Sequence, residues 1–177
     1  MQRSDLNMGL NPQTIGTSMP NGFAGSYARQ PDMIVNTRPA GGSTPIPFGT
    51  PLKYDDGAVI PMGAAATAEQ FVGVAGCEIK SALTYLDQSQ GQYAVGEPVS
   101  VFMRGAVNVF CQRGTPALGG AVYVRITANG SYPSAVVGGF EAEADSANTI
   151  QLTNCQWAGA ADANGVVEMR ILTLINA

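Results

Sequence analysis

Three short stretches repeat one phrase: Gly49-Thr50-Pro51-Leu52-Lys53-Tyr54, Gly96-Glu97-Pro98-Val99-Ser100-Val101 and Gly119-Gly120-Ala121-Val122-Tyr123-Val124. Each sets a glycine turn before a small or proline residue and then an apolar–x–apolar strand start. The first and third are followed by a second shared phrase, Phe71-Val72-Gly73-Val74-Ala75-Gly76 after one and Val136-Val137-Gly138-Gly139-Phe140-Glu141 after the other. A chain punctuated this way makes short strands joined by turns, and 22 glycines and 11 prolines leave little room for long helices. The expectation is a small all-β shell with a surface or assembly role.

At 177 residues the chain suits one domain, which buries roughly 70% of its unfolded surface and needs no disulfides to hold a core. Charged residues are only 12% of the chain, about half the usual 25% share. Its surface is therefore covered by uncharged polar residues or buried against partners. The net charge is −4, the lysines are Lys53 and Lys80, and the seven arginines are scattered. No basic stripe is available for phosphates or anionic lipid, so no direct nucleic-acid or membrane partner is expected. The run from Ala58 to Gly76 is broken by Pro61, Glu69 and Gln70 and does not read as a membrane span. Met1 to Asn11 carries Arg3 and Asp5 with no apolar stretch after them, so no signal peptide is expected. Cys77, Cys111 and Cys155 are widely spaced, form no C-x-x-C and have no histidine to join them. They read as small buried apolar side chains in a reducing cytosol, and no metal or cofactor is expected.

Residues 1–45 differ from the rest, with six glycines, five prolines and no sustained apolar period. Phe23, Tyr27, Met33, Ile34 and Val35 are the conspicuous apolar residues there. The segment reads either as a solvated terminus or as an extended arm that orders on a neighbouring subunit through those five residues. Removal of residues 1–40 is expected to leave a folded β domain over 46–177. Within that domain Val99, Val101 and Met103 alternate with polar or out-of-phase neighbours, and the alternation resumes after Gly105 as Val107, Val109, Cys111. Gly105 marks a bend or bulge. Asn164-Gly165 between Cys155–Trp157 and Val166–Ile175 is a hairpin signal. Ala64 to Gln70 is the one helical stretch, with Thr67 or Ser81 as local caps. Strands at this spacing make a sandwich, barrel or jelly roll.

Chemistry is hard to place on this chain. Without histidine the commonest general base and the usual triads are gone. Asp55-Asp56-Gly57 reads as a tight turn. Glu141, Glu143 and Asp145 sit at i, i+2 and i+4, so a strand would line them on one face as a cation site or a glycosidase-like pair. The plainer expectation is a solvated edge whose charges block edge-to-edge pairing. Trp157 is a ligand platform or, more simply, core. Asn129-Gly130-Ser131 is a sequon at a turn, and no phosphate-binding glycine loop occurs.

The run Pro47–Leu52, then Phe71–Ala75, then Tyr93–Val101 through Arg104–Val107, together with Gly120–Val124 and Asp162–Ile171, resembles the cement (decoration) proteins of tailed-bacteriophage heads over about residues 46–174. The resemblance implies an all-β fold, jelly-roll-like or barrel-like, with an extended N-terminal arm. It implies a non-enzymatic virion protein, made in the host bacterial cytoplasm, that binds the outer capsid surface across major capsid protein junctions and stabilises the DNA-filled shell. Its expected partners are the phage major capsid protein and itself, as dimer or trimer. The acidic balance agrees with a position away from DNA. Alternatives are another virion component, such as a tail or fibre-base protein, and a carbohydrate-binding or glycan-active domain using Glu141, Glu143 or Asp145.

Overall fold

The computed structural model describes residues 20–77 and 90–174. Its strands are β1 (Tyr27–Pro39), β2 (Ile46–Pro47), β3 (Pro51–Asp55), β4 (Ala58–Pro61), β5 (Gly73–Ala75), β6 (Gln92–Tyr93), β7 (Pro98–Arg113), β8 (Ala121–Arg125), β9 (Phe140–Glu141), β10 (Thr149–Trp157) and β11 (Val166–Ile171). The repeated phrases explain the starts of three of them. β3, β7 and β8 each begin two residues after a glycine, and Gly49, Gly96 and Gly119 have φ of +76°, +83° and +77°. Only glycine adopts that conformation without strain, so the glycine fixes where each strand begins.

The longest strand, β7, organises the sheet. Its last residues pair in parallel with β9, which pairs in turn with β8, then β10, then β11. β11 returns to β7 in the register Val167↔Val109 to Ile171↔Gly105, which closes the ring into a barrel. Closure leaves this ring of strands without a free edge. β5, β3 and β4 continue the same sheet from the first half of β7, and β2 and β6 form a separate pair. The β3–β4 hairpin turns on Asp56 and Gly57, with φ of +46° and +78°, so Asp55-Asp56-Gly57 is a tight turn. The Asn164-Gly165 signal closes a longer connection, residues 158–165. There Asp162 accepts hydrogen bonds from the Asn164 and Val166 amides at 2.8 and 3.0 Å. The expected helix is one 3₁₀ turn, Ala68–Gln70, where the Gln70 side chain accepts the Thr67 amide. Ser81 lies outside the described residues.

Two cores flank β7. Phe102, Val107, Val109 and Cys111 join Phe71, Phe140, Leu152, Trp157 and Met169 inside the barrel. Val99, Val101 and Met103 join Ile46, Leu52, Val59 and Tyr93 in the second cluster. The odd-numbered residues thus face one core before Gly105 and the other after it. Gly105 has φ of +104°, and the Asp32 carbonyl oxygen lies 2.2 Å from where a Cβ would stand. The glycine both switches the strand's faces and admits another backbone directly above it.

That backbone belongs to the segment expected to be an arm. Residues 1–19 lie outside the described residues. Tyr27–Pro39, however, pair with β7 over Val107 to Pro98, with register shifts between Arg29 and Val35 where the chain passes Gly105. Ala40 is buried. The boundary placed at residue 45 therefore falls within the barrel domain, because β7 satisfies the backbone groups of β1. The strand was hidden by its mixed burial, since most of its residues are exposed and its polar and apolar positions do not alternate cleanly.

Loss of residues 1–40 should consequently unfold or sharply destabilise the domain. Thermal unfolding of the truncated chain checks this, and a melting temperature within about 3 °C of the full chain's would count against it. Gly105→Ala should cost at least about 1–3 kcal/mol from the left-handed backbone alone, read as a lower melting temperature with unchanged far-UV signal.

Candidate functional site

The acidic trio lies where β8, β9 and the end of β7 meet. Instead of forming a solvated edge, it is woven into an ion-pair network with two arginines. Glu141 on β9 is fully buried, and Arg125 from β8 beside it is equally buried. Arg125 Nε donates to Glu141 Oε1 at 2.5 Å and Nη2 to Oε2 at 3.1 Å. Arg113, at the end of β7, donates from Nε to the same carboxylate at 2.6 Å. Asp145 receives Arg125 Nη1 at 2.9 Å and the Asn129 amide at 2.9 and 3.1 Å. Glu143 is more exposed and meets Arg113 Nη1 at 3.3 Å. The Arg113 guanidinium lies 4.6 Å from the centre of the Tyr132 ring, which covers the cluster. Hydrogen bonds from Asn129 and then from Arg125 hold the Asp145 carboxyl below the usual carboxylate range. The three acids are thus engaged by arginine and asparagine groups. Among the described residues no group of three histidine, cysteine or acidic side chains is arranged to hold a metal ion.

The cluster carries its order outward through Gln112. Its amide nitrogen donates to Glu141 Oε1 at 3.0 Å and to the Val136 carbonyl at 2.9 Å, while its amide oxygen accepts the Val136 N–H at 2.9 Å. Val136 is thereby clamped at both backbone groups. It and Val137 form the rim of an apolar groove of about 510 Å³, whose other walls include Pro47, Phe48, Pro61 and Phe110. Val136 is 65% exposed, Phe110 51% and Val137 40%. A cluster of exposed apolar side chains around one groove marks an interaction surface. Ala24 also lines the groove, and Phe23 beside it in sequence is 59% exposed.

The five residues singled out in the N-terminal segment divide. Phe23 precedes β1 and is exposed; Ile34 is exposed on β1. Tyr27 is also exposed, but its ring packs edge-on against Phe102 at 4.7 Å. Met33 and Val35 pack against the barrel core of their own chain. The segment's apolar residues therefore serve two ends, two anchoring β1 and the others remaining at the surface. Phe110 was invisible in the sequence because it falls between Val109 and Cys111, on the outward phase of an otherwise alternating strand. Val136 and Val137 were visible only as part of a repeated phrase.

Trp157 and Cys155 are core residues, and Cys111 is buried near the end of β7. Burial pushes the Cys155 and Cys111 thiols up, which disfavours the thiolate at both. Cys77 is only half-buried.

Removing one partner of a buried ion pair typically costs about 3–5 kcal/mol, because the other charge is left uncompensated. Glu141→Gln leaves Arg113 and Arg125 without their shared carboxylate, so it should lower the unfolding free energy by that order, read from a denaturant titration as a lower midpoint. A variant as stable as the parent would show that water or rearranged acids replace Glu141.

Comparison with known proteins follows the same lines. The sequence profile described as XM1 gp53 minor capsid protein matches residues 12–171. Among solved structures, a chain from "The capsid of Myoviridae Phage XM1" superposes with a TM-score of 0.67 at 17% identity, covering 91% of this chain and 96% of that one. A search of the curated proteins found no match. A barrel of the same fold and a profile spanning nearly the whole chain agree: this protein belongs to the XM1 gp53 minor capsid protein family and is a capsid-associated structural component of a phage virion.

Proposed function

We propose that the protein is a cement, or decoration, protein that sits on the outer face of the head, bridges major capsid protein subunits and stabilises the DNA-filled shell without doing chemistry. The observation that carries this reading is the apolar groove bounded by Phe110, Val136 and Val137, rigidly held by Gln112 and the ion cluster behind it. A side chain exposed on the isolated chain and fixed by its backbone loses little entropy when a partner covers it. Phe23, Tyr27 and Ile34, exposed before and along β1, extend the contact, while Met33 and Val35 hold β1 in place. The net charge of −4 favours the outward side of a shell packed with DNA. Self-association as a dimer or trimer at a symmetry position of the lattice would multiply weak contacts through effective concentration.

Heads assembled without the protein should release DNA at a lower temperature than complete heads, and purified protein added back should restore the difference. Equal heat resistance with and without it would overturn the cement role. Fully burying a valine is worth about 1.5–3 kcal/mol, so the double variant Val136→Asp, Val137→Asp should bind such heads about tenfold or more weakly. Its own melting temperature should stay near the parent's, since both side chains are exposed. Unchanged binding would move the contact surface elsewhere.

A further inference from the structure

The sequence scatters its arginines, but the fold gathers three of them. Where residues 29–32 pass over Gly105, a cleft of about 380 Å³ opens between β1, β7 and the end of β11, lined by Arg29, Arg104 and Arg170. Pro31, Ile171 and Leu172 supply an apolar wall, and Leu172 is 42% exposed. Two carboxylates partly neutralise the arginines. Arg104 faces Asp32, with Nε 3.2 Å from Oδ1 and Nη2 3.3 Å from Oδ2. Arg29 and Arg170 share Glu168 through their Nε groups, at 2.9 and 3.2 Å from Oε1. Arg29 Nε also donates to Glu168 Oε2 at 2.9 Å, and among the described residues no further hydrogen bond engages the guanidinium of Arg29 or Arg170, whose side chains are 66% and 47% exposed. Their terminal nitrogens, the paired donors that grip a carboxylate edge-on, are thus left open. Three guanidinium groups against two acids leave one positive charge, on a chain whose net charge is −4.

We propose that this cleft is a socket for a carboxylate side chain flanked by an apolar residue, supplied by an acidic segment of the capsid shell protein. The proposal rests on the cement reading for the identity of that partner and on the cleft alone for its chemistry. Charge complementarity selects the occupant. A single excess charge, enclosed on one side by an apolar wall, suits one or two carboxylates. A polyanion would need a stripe of cations, and the remaining described arginines, Arg38, Arg113 and Arg125, line neither this cleft nor its walls. Glu168 acts as the orienting group. By holding both Nε atoms it presets the two outer arginines before a ligand arrives, much as a bound acid would find them.

The test uses the full chain with ¹⁵N-labelled arginine. Titration with the blocked peptide acetyl-Glu-Leu-Glu-Leu-amide should shift the Nε–Hε resonances of Arg29, Arg104 and Arg170, and acetyl-Gln-Leu-Gln-Leu-amide should not. Arg29→Gln alone, at an exposed position, should weaken the response several-fold, and the double variant Arg29→Gln, Arg170→Gln should abolish it. On heads lacking the protein, the double variant should bind at least tenfold more weakly at low salt and lose most of the salt dependence. No peptide response, an equal response to the glutamine peptide, or a stronger response to single-stranded DNA would overturn the socket. Head binding with an unchanged salt slope in the double variant would also overturn it and leave the cement reading intact. Peptide binding without any head binding would overturn the cement reading and the named partner, but keep the carboxylate site.

Discussion

The close approach of two backbones at Gly105 is the constraint on which the rest of the structure hangs. β7 is too long to serve one core, and its odd-numbered residues from Val99 to Cys111 are apolar apart from Gly105. A regular strand would send them all to one face. The left-handed conformation at Gly105 shifts that phase, so Val99, Val101 and Met103 enter one cluster and Val107 and Val109 the other. The missing Cβ then lets the carbonyl of Asp32 lie over the strand, and β1 runs on along β7 through that gap. One glycine therefore couples the barrel, the second cluster and the N-terminal strand. The arginine cleft opens at the same crossing and owes its walls to it.

The buried arginine–glutamate cluster shows how the interior of this barrel accommodates charge. Burying ions is expensive unless each is paired, and here Glu141 meets Arg125 and Arg113 while Asp145 meets Arg125 and Asn129. Such a cluster adds less to stability than an apolar packing of equal volume would. Its value lies in direction: the bonds from Gln112 to Glu141 and to both backbone groups of Val136 transmit a fixed geometry from the interior to the groove rim. The acids that a sequence reading offers to a metal or a sugar are engaged by arginine and asparagine groups.

Two features stand out on the exterior, an apolar groove and a cationic cleft. On the proposed reading the first offers area and the second offers orientation, a division common at protein interfaces, where buried apolar side chains dominate affinity and charges set register. A chain with only 12% charged residues can afford few ion pairs, and most of those observed here fall into two places, the interior cluster and the cleft.

The sequence alone determined the strand starts, the turns and the all-β class, because a glycine before an apolar pair and an Asp-Asp-Gly turn act over a few residues and need no distant partner. The same locality made Gly105 legible as a bend and Trp157 as core. Partnership was not legible. Tyr27–Pro39 looked like an arm because its proline, arginine and asparagine residues show no clean period, and only pairing with the distant strand β7, Tyr27 with Val107 and Pro39 with Pro98, makes it a strand. Glu141, Glu143 and Asp145 looked like a row on one face; tertiary structure placed Arg113 and Arg125 against them and buried Glu141 outright. Phe110, and the meeting of Arg29, Arg104 and Arg170, were likewise decided by the closure of the barrel. Local backbone preference is written residue by residue, whereas burial and charge pairing depend on which distant segments the closed sheet brings together.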